Sequence, residues 1–335
     1  MSIADPRRAG RARRAAGFTI IEATVVTVVV ALMTLVIERT VSGVVETERS
    51  MRAVRNTTER GTQATYRLRD VVQTSRKLFQ ADTVGNAYLA KLSRTRFAPL
   101  AGARLPLFDE VNPLGPDAVG DPRTGNCLLF LREGDPYRAV SVPASKTIRS
   151  IDTYRIVCVY LSQSTRTVVA GGSPAVELVE WRSKAFPNYT QVMAISVATE
   201  RTQVVKDLYA RFGCSYLWNP TGAVDASFYG IDGSGTIAAS PTVVTSIPED
   251  LNVSLGGRFV SGNMSVARTD TTSQVRMPIF TKDAIATWTP NGFEVKICGP
   301  SGARQVWLRL TVEQQASKGR VPAQTTTAVA NTRDL

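Results

Sequence analysis

Apolar and polar positions divide this chain into three regimes. From Phe18 to Ile37, twenty consecutive residues carry a single charge, Glu22. At about 1.5 Å per residue such a run makes about 30 Å of helix, the thickness of a hydrocarbon core. From residue 38 the pattern turns amphipathic. Val41, Val44, Val45, Met51, Val54, Ala64, Leu68, Val71, Val72 and Leu78 recur at helical spacings, with Arg and Glu between them. A helix with one buried face is therefore predicted to run on to Phe79. No proline interrupts residues 18–79. Gly43 and Gly61 each cost a helix about 1 kcal/mol relative to alanine. With Asn56-Thr57-Thr58 they mark where this one is expected to bend or break.

The helical period is lost near residue 80. Pro99, Pro106, Pro113, Pro116 and Pro122, interspersed with glycines, predict a long connection to residue 126, with a short helix near Tyr88 to Leu92. Beyond it come runs rich in Val, Ile, Leu and Tyr, bounded by Gly, Pro and Asp. They predict strands at Cys127–Arg132, Tyr137–Val142, Thr153–Leu161 and Val176–Arg182, the first two joined by a turn at Gly134-Asp135-Pro136. Residues 183–274 are dense in Ser, Thr, Gly and Asn. They read as an insertion or second β-subdomain, with strands at Phe212–Trp218 and Leu251–Leu255. The glycine-rich Ser254–Phe259 lacks phosphate-loop spacing and reads as a turn. Gly292–Cys298 and Gln305–Glu313 form a predicted hairpin. In its second strand Val306, Leu308, Leu310 and Val312 share one face, and Trp307, Arg309 and Thr311 the other. The last stretch, 317–335, has few large apolar residues and reads as a disordered tail. The fold class is α+β: a long N-terminal helix, its first half membrane-spanning, packed on an antiparallel sheet domain with loop-rich insertions. The domains are 1–17, 18–37, 38–79, 80–316 and 317–335.

Composition narrows the chemistry. The 335 residues are 43% hydrophobic and 20% charged, ordinary for a globular protein and enough for a core without disulfides. No histidine is present, which excludes Ser-His-Asp and Cys-His catalysis and the usual zinc sets. The acidic neighbours Asp109-Glu110 and Glu249-Asp250 read as solvated loop charges rather than a catalytic pair. No two cysteines have CxxC spacing. No cofactor or metal is implied, and the chain reads as structural rather than enzymatic. The net charge is +12, of which residues 1–17 supply +4. The remaining basic residues are scattered and the aromatics, at 7%, are not interleaved with them. No specific nucleic-acid partner is expected.

Arg7, Arg8, Arg11, Arg13 and Arg14 precede the apolar run. They place its basic end in the cytoplasm and everything after Glu38 outside. Glu22 is the anomaly. A carboxylate costs about 2.5–3.5 kcal/mol near the centre of a membrane helix and less toward its end. A plain anchor has no evident reason to carry one.

GFTIIE, Gly17 to Glu22, behind an arginine-rich leader and ahead of an unbroken apolar run, resembles the processing site of type IV pilins and type II secretion pseudopilins. The resemblance implies cleavage by a prepilin peptidase after Gly17, methylation of the new amine at Phe18, and pairing of Glu22 with the amine of a neighbouring subunit. More diffusely, the length and the succession of strands resemble large minor pilins of the PilW type and pseudopilins of the PulJ type. The implied function is a minor type IV pilin that primes assembly and enters the pulled filament near its tip, with roles in adhesion and twitching motility. Its partners would be other minor pilins, the major pilin and a tip adhesin-like protein. It would sit in the inner membrane through 18–37, its C-terminal domain periplasmic, before joining the pilus. The alternatives are a secretion pseudopilin and, from another class, a membrane-anchored periplasmic enzyme or binding protein. Major pilins often carry a proline near the position of Arg39, and this chain does not. In an oxidising compartment four cysteines can pair in three ways. The expected pairs are Cys127 with Cys158 and Cys214 with Cys298.

Overall fold

The structure, a computed structural model, describes residues 19–110, 123–142, 147–167, 174–221, 227–250, 258–268, 291–314 and 322–332. The chain divides into two compact units, Met1–Arg49 and Ser50–Leu335. The elements in order are α1 (Ile20–Gln73), β1 (Ser75–Phe79), α2 (Thr83–Lys91), β2 (Phe108–Asp109), β3 (Leu128–Val142), β4 (Thr147–Thr167), β5 (Pro174–Arg182), β6 (Phe186–Pro187), α3 (Tyr189–Met193), α4 (Ala198–Ala210), β7 (Tyr216–Trp218), β8 (Phe228–Gly230), β9 (Arg258–Val260), β10 (Ser265–Val266), β11 (Phe293–Cys298), β12 (Arg304–Glu313) and β13 (Ala323–Thr332). The class is α+β, as the sequence pattern predicts: a long N-terminal helix followed by antiparallel sheets.

Two larger sheets form the body of the second unit. One runs β1-β3-β4-β5-β9, with β6 also on β4; the other runs β10-β12-β11-β2, with β13 on the far side of β12. Every pairing is antiparallel except β2 with β11. The register explains the sequence of the first sheet. Leu128 lies opposite Val159 and Phe130 opposite Val157, while Leu129 opposes Cys158 and Leu131 opposes Ile156. The first set faces a core shared with Val295, Ile297, Val306 and Leu308 of the second sheet and with Leu68 and Val72 of α1. The second set faces a separate core with Tyr88 of α2, Trp181, Trp218 and Phe228. A sheet covered on both faces needs apolar residues at consecutive positions, hence the unbroken Leu-Leu-Phe-Leu run. A third core, around Val204, Val205 and Leu208 of α4, closes over Ala139 and Ile151. There Asp207 accepts hydrogen bonds from the Tyr137 hydroxyl at 3.2 Å and the Val140 amide at 3.1 Å, which pins α4 to β3.

Several expectations change. The first helix ends at Gln73, not Phe79, because Ser75–Phe79 leaves it to pair with β3, Leu78 opposite Phe130. Within Ser50–Gln73 the buried stripe is Ala53, Thr57, Gly61, Ala64, Thr65, Leu68 and Val72. Met51 and Val54, expected in that stripe, stand 67% and 45% exposed. Small residues win because the helix lies close against β12 and β13: a Cβ on Gly61 would stand 3.5 Å from Thr326 Oγ1 and 3.6 Å from Val312 Cγ2. Gly61 therefore does not break the helix.

Gly134-Asp135-Pro136 is not a turn. It lies inside the continuous strand β3, where the register with β4 shifts between Gly134 and Tyr137. A bulge tolerates a residue without an amide proton. The short helix near Tyr88 is present as α2, capped by Asp82, which accepts from the Gly85 amide at 2.7 Å. Region 183–274, expected to be an insertion or second β-subdomain, contains the helices α3 and α4. Of its predicted strands, Phe212–Trp218 shortens to β7, and Leu251–Leu255 falls outside the described residues. The β11–β12 hairpin forms across Gly299 and Gly302, both at positive φ (94° and 82°). In β12 the expected apolar face is buried. The supposed disordered tail contains β13, ten residues paired along the whole of β12.

Candidate functional site: the start of the first helix and the cysteines

Gly17 and Phe18 lie outside the described residues. Thr19 is the first described residue and the N-cap of α1: its carbonyl accepts the first intrahelical bond, from the Ala23 amide at 3.0 Å. Glu22 is the third helical residue. Its Oε2 accepts from the Thr19 amide and from the Thr19 hydroxyl, each at 3.1 Å. The Glu22 amide in turn donates to Thr19 Oγ1 at 3.3 Å. This is a capping box, with donors of the first turn satisfied reciprocally by two side chains. The glutamate therefore has a local task, and the expectation that a plain anchor has no use for it is corrected.

From Ala23 to Ile37 the helix carries no charge. All large hydrophobic residues from Ile20 to Ile37 are at least 44% exposed. The hydroxyls of Thr24, Thr27 and Thr34 each donate to the carbonyl four residues earlier, at 2.8 Å. A polar group left unpaired in hydrocarbon costs several kcal/mol, and these three are paired within the helix. This helix is long and apolar enough to cross a membrane, with a mean hydropathy of 2.6 over its most apolar window.

The four cysteines are buried, and none forms a disulfide. Cys127 and Cys158 are neighbours on the second core's face of the first sheet, their sulfurs 3.6 Å apart. Burial pushes the Cys158 thiol well above its ordinary range, helped by its hydrogen bond to Cys127. Cys214 and Cys298, the other expected pair, sit in different places. Cys214 follows α4 in the third core and donates to the Tyr216 carbonyl at 2.6 Å; burial pushes its pKa up to about 12. Cys298 ends β11 in the second sheet, 3.7 Å from the Gln305 carbonyl.

Of the two acidic neighbour pairs, expected as solvated loop charges, three carboxylates are ion-paired. Asp109 is buried in β2 and pairs with Lys296 at 3.3 Å, while Glu110 reaches Arg304 at 3.1 Å. Asp250 holds Arg155 at 2.6 Å. Strand and loop geometry turn Asp109, Glu110 and Asp250 toward separate cations. Among the described residues no group of three or more Cys, Asp or Glu side chains stands close enough to hold a metal. No protein-family model, curated protein or solved structure matches this chain.

Proposed function

We propose that this chain is a minor subunit of a type IV pilus, made as a precursor in the inner membrane, cleaved after Gly17 and methylated at Phe18. The observation that carries the reading is positional. A helix begins at Ile20, three residues after Gly17, and the one carboxylate of its apolar span Ile20–Ile37, Glu22, lies in its first turn. A cut at that bond would leave an amine one residue before the N-cap, close to a carboxylate otherwise surrounded by apolar side chains. The seam of small residues from Ala53 to Thr65 supports the reading too, since it lets the second half of the helix lie close on an antiparallel sheet. The size of the chain and its loops suit a low-copy subunit more than a major one. A secretion pseudopilin would share all of these features.

One observation favours a different reading. The Thr19–Glu22 capping box gives the glutamate a purpose in an uncleaved, single-pass anchor of a periplasmic binding protein or enzyme. The two readings separate at Gly17. In cells with a prepilin peptidase, Gly17→Val should leave a precursor-sized band while the wild type runs at mature size, because a branched side chain blocks access to the bond. Wild type and variant of equal, full size would support the anchor; equal mature size would place the cut elsewhere.

A further inference from the structure

A cleft of about 440 Å³ lies where three distant segments converge: residues 184–186, 212–216 and 244–250. Its size falls within the range that holds small organic ligands. It marks the seam between the second and third cores, since Phe186, Val244 and Ile247 belong to one and Cys214 to the other. Phe186 and Ile247 are buried at its base, and Phe212 and Tyr216 are half-buried in its walls. Gly213 adds no side chain. Its φ is +71°, and the space a Cβ would take there is open.

Three charged side chains line the cleft: Arg155, Lys184 and Asp250. Arg155 and Asp250 neutralise each other at 2.6 Å. Lys184 is exposed at the mouth and makes no ion pair among the described residues. The hydroxyls of Ser215 and Ser246 stand on the same rim. Aromatic walls, one uncompensated ammonium and two hydroxyl donors together suit a flat apolar body bearing a single negative charge. Among the described residues Lys184 is the one lining cation without an ion pair, so the cleft offers a countercharge to one negative charge rather than two.

We propose that this cleft binds a small aromatic or branched organic monoanion, a carboxylate or sulfonate, with its apolar body against Phe186, Phe212 and Tyr216 and its charge on Lys184. The proposal stands independently of the filament reading.

The test uses the full chain in detergent and fluorine NMR of para-trifluoromethylbenzoate, with protein-free micelles as the blank. The neutral isostere para-trifluoromethylbenzamide is the comparison. Wild type should bind the benzoate saturably in the millimolar range or tighter, and the benzamide more weakly. Lys184→Gln should weaken the benzoate about fivefold, the worth of one partly screened charge, and leave the benzamide unchanged. Ser246→Trp, on the exposed rim, should block both. No saturable benzoate binding, equal binding of acid and amide, or a benzoate affinity untouched by Lys184→Gln would overturn the assignment. Both changed residues are exposed, so loss of fold does not confound the comparison.

Discussion

Thr19 and Glu22 hold each other at the start of the first helix: the carboxylate accepts from the Thr19 amide at 3.1 Å, and the Thr19 hydroxyl accepts from the Glu22 amide at 3.3 Å. On the filament reading Glu22 would have two separable uses, a local cap and a charge offered to a neighbour's amine. Two unit charges about 4 Å apart attract by about 4 kcal/mol at an effective dielectric near 20, before desolvation is subtracted. A cap is worth about 1 kcal/mol.

Glutamine at position 22 keeps the cap's acceptor and removes the charge. On the filament reading, Glu22→Gln and Glu22→Ala are both inserted and cleaved, and both fail to co-purify with the minor-pilin partners from membranes. Thr19→Val frays the first turn but still co-purifies. Recovery of Glu22→Gln equal to wild type would mean that the carboxylate serves the cap alone.

On the filament reading, which places these residues in the periplasm, Cys127 and Cys158 should be oxidised. Each thiol loses a proton and an electron to a thiol oxidant of that compartment, and the sulfurs close from 3.6 Å to about 2.05 Å. The closed loop spans 31 residues, so the bridge should contribute about 3–4 kcal/mol. Cys214 and Cys298 should stay reduced, because Cys214 lies in the third core and Cys298 at the end of β11 in the second sheet, outside that core. Thiol counting on denatured, unreduced protein should find two free thiols, with a Cys127–Cys158 peptide on mapping. Four free thiols, or a Cys214–Cys298 peptide, would contradict this.

Gly61 separates helix propensity from packing. A Cβ there meets Thr326 and Val312 at ordinary van der Waals distance. Gly61→Ala should therefore stabilise the second unit by up to about 1 kcal/mol, and Gly61→Leu should destabilise it by about 1–3 kcal/mol through overpacking. Thermal unfolding of the full chain in detergent reads both. A lower Tm for Gly61→Ala would mean that the helix sits closer to β12 than described.

The chain's charge of +12 would fall to +8 on cleavage after Gly17. DNA association, if any, should be non-specific and weaken steeply with salt, as phosphate contacts do. Binding measured at several salt concentrations decides it; tight, salt-resistant association would point to a built nucleic-acid site.

What was legible in the sequence is what is local. The start of the first helix is legible in the unbroken apolar run from Phe18, whereas the capping box of Thr19 and Glu22 is seen only in the structure. The end of the helix is not legible: nothing after Gln73 stops a helix, and only pairing with β3 draws Ser75–Phe79 into a sheet. The last strand was missed because Ala328 and Ala330 are small and its threonines look like linker, yet all ten residues pair with β12. The fourth helix lacks a side-chain cap; the signal that could have found it was the close spacing of Val204, Val205 and Leu208. Of the two expected cysteine pairs, the register of β3 on β4 brings Cys127 close to Cys158, and no such register joins Cys214 to Cys298. The cleft at Lys184 was invisible, since three segments far apart in the chain build it.

The central claim concerns one bond. Purify the chain from the membranes of cells that carry a prepilin peptidase, and measure the intact mass and the N-terminal peptide. The account predicts a chain that begins at Phe18 and carries one added methyl group on its amine. A chain that retains residues 1–17, or one that begins at any other residue, would contradict it.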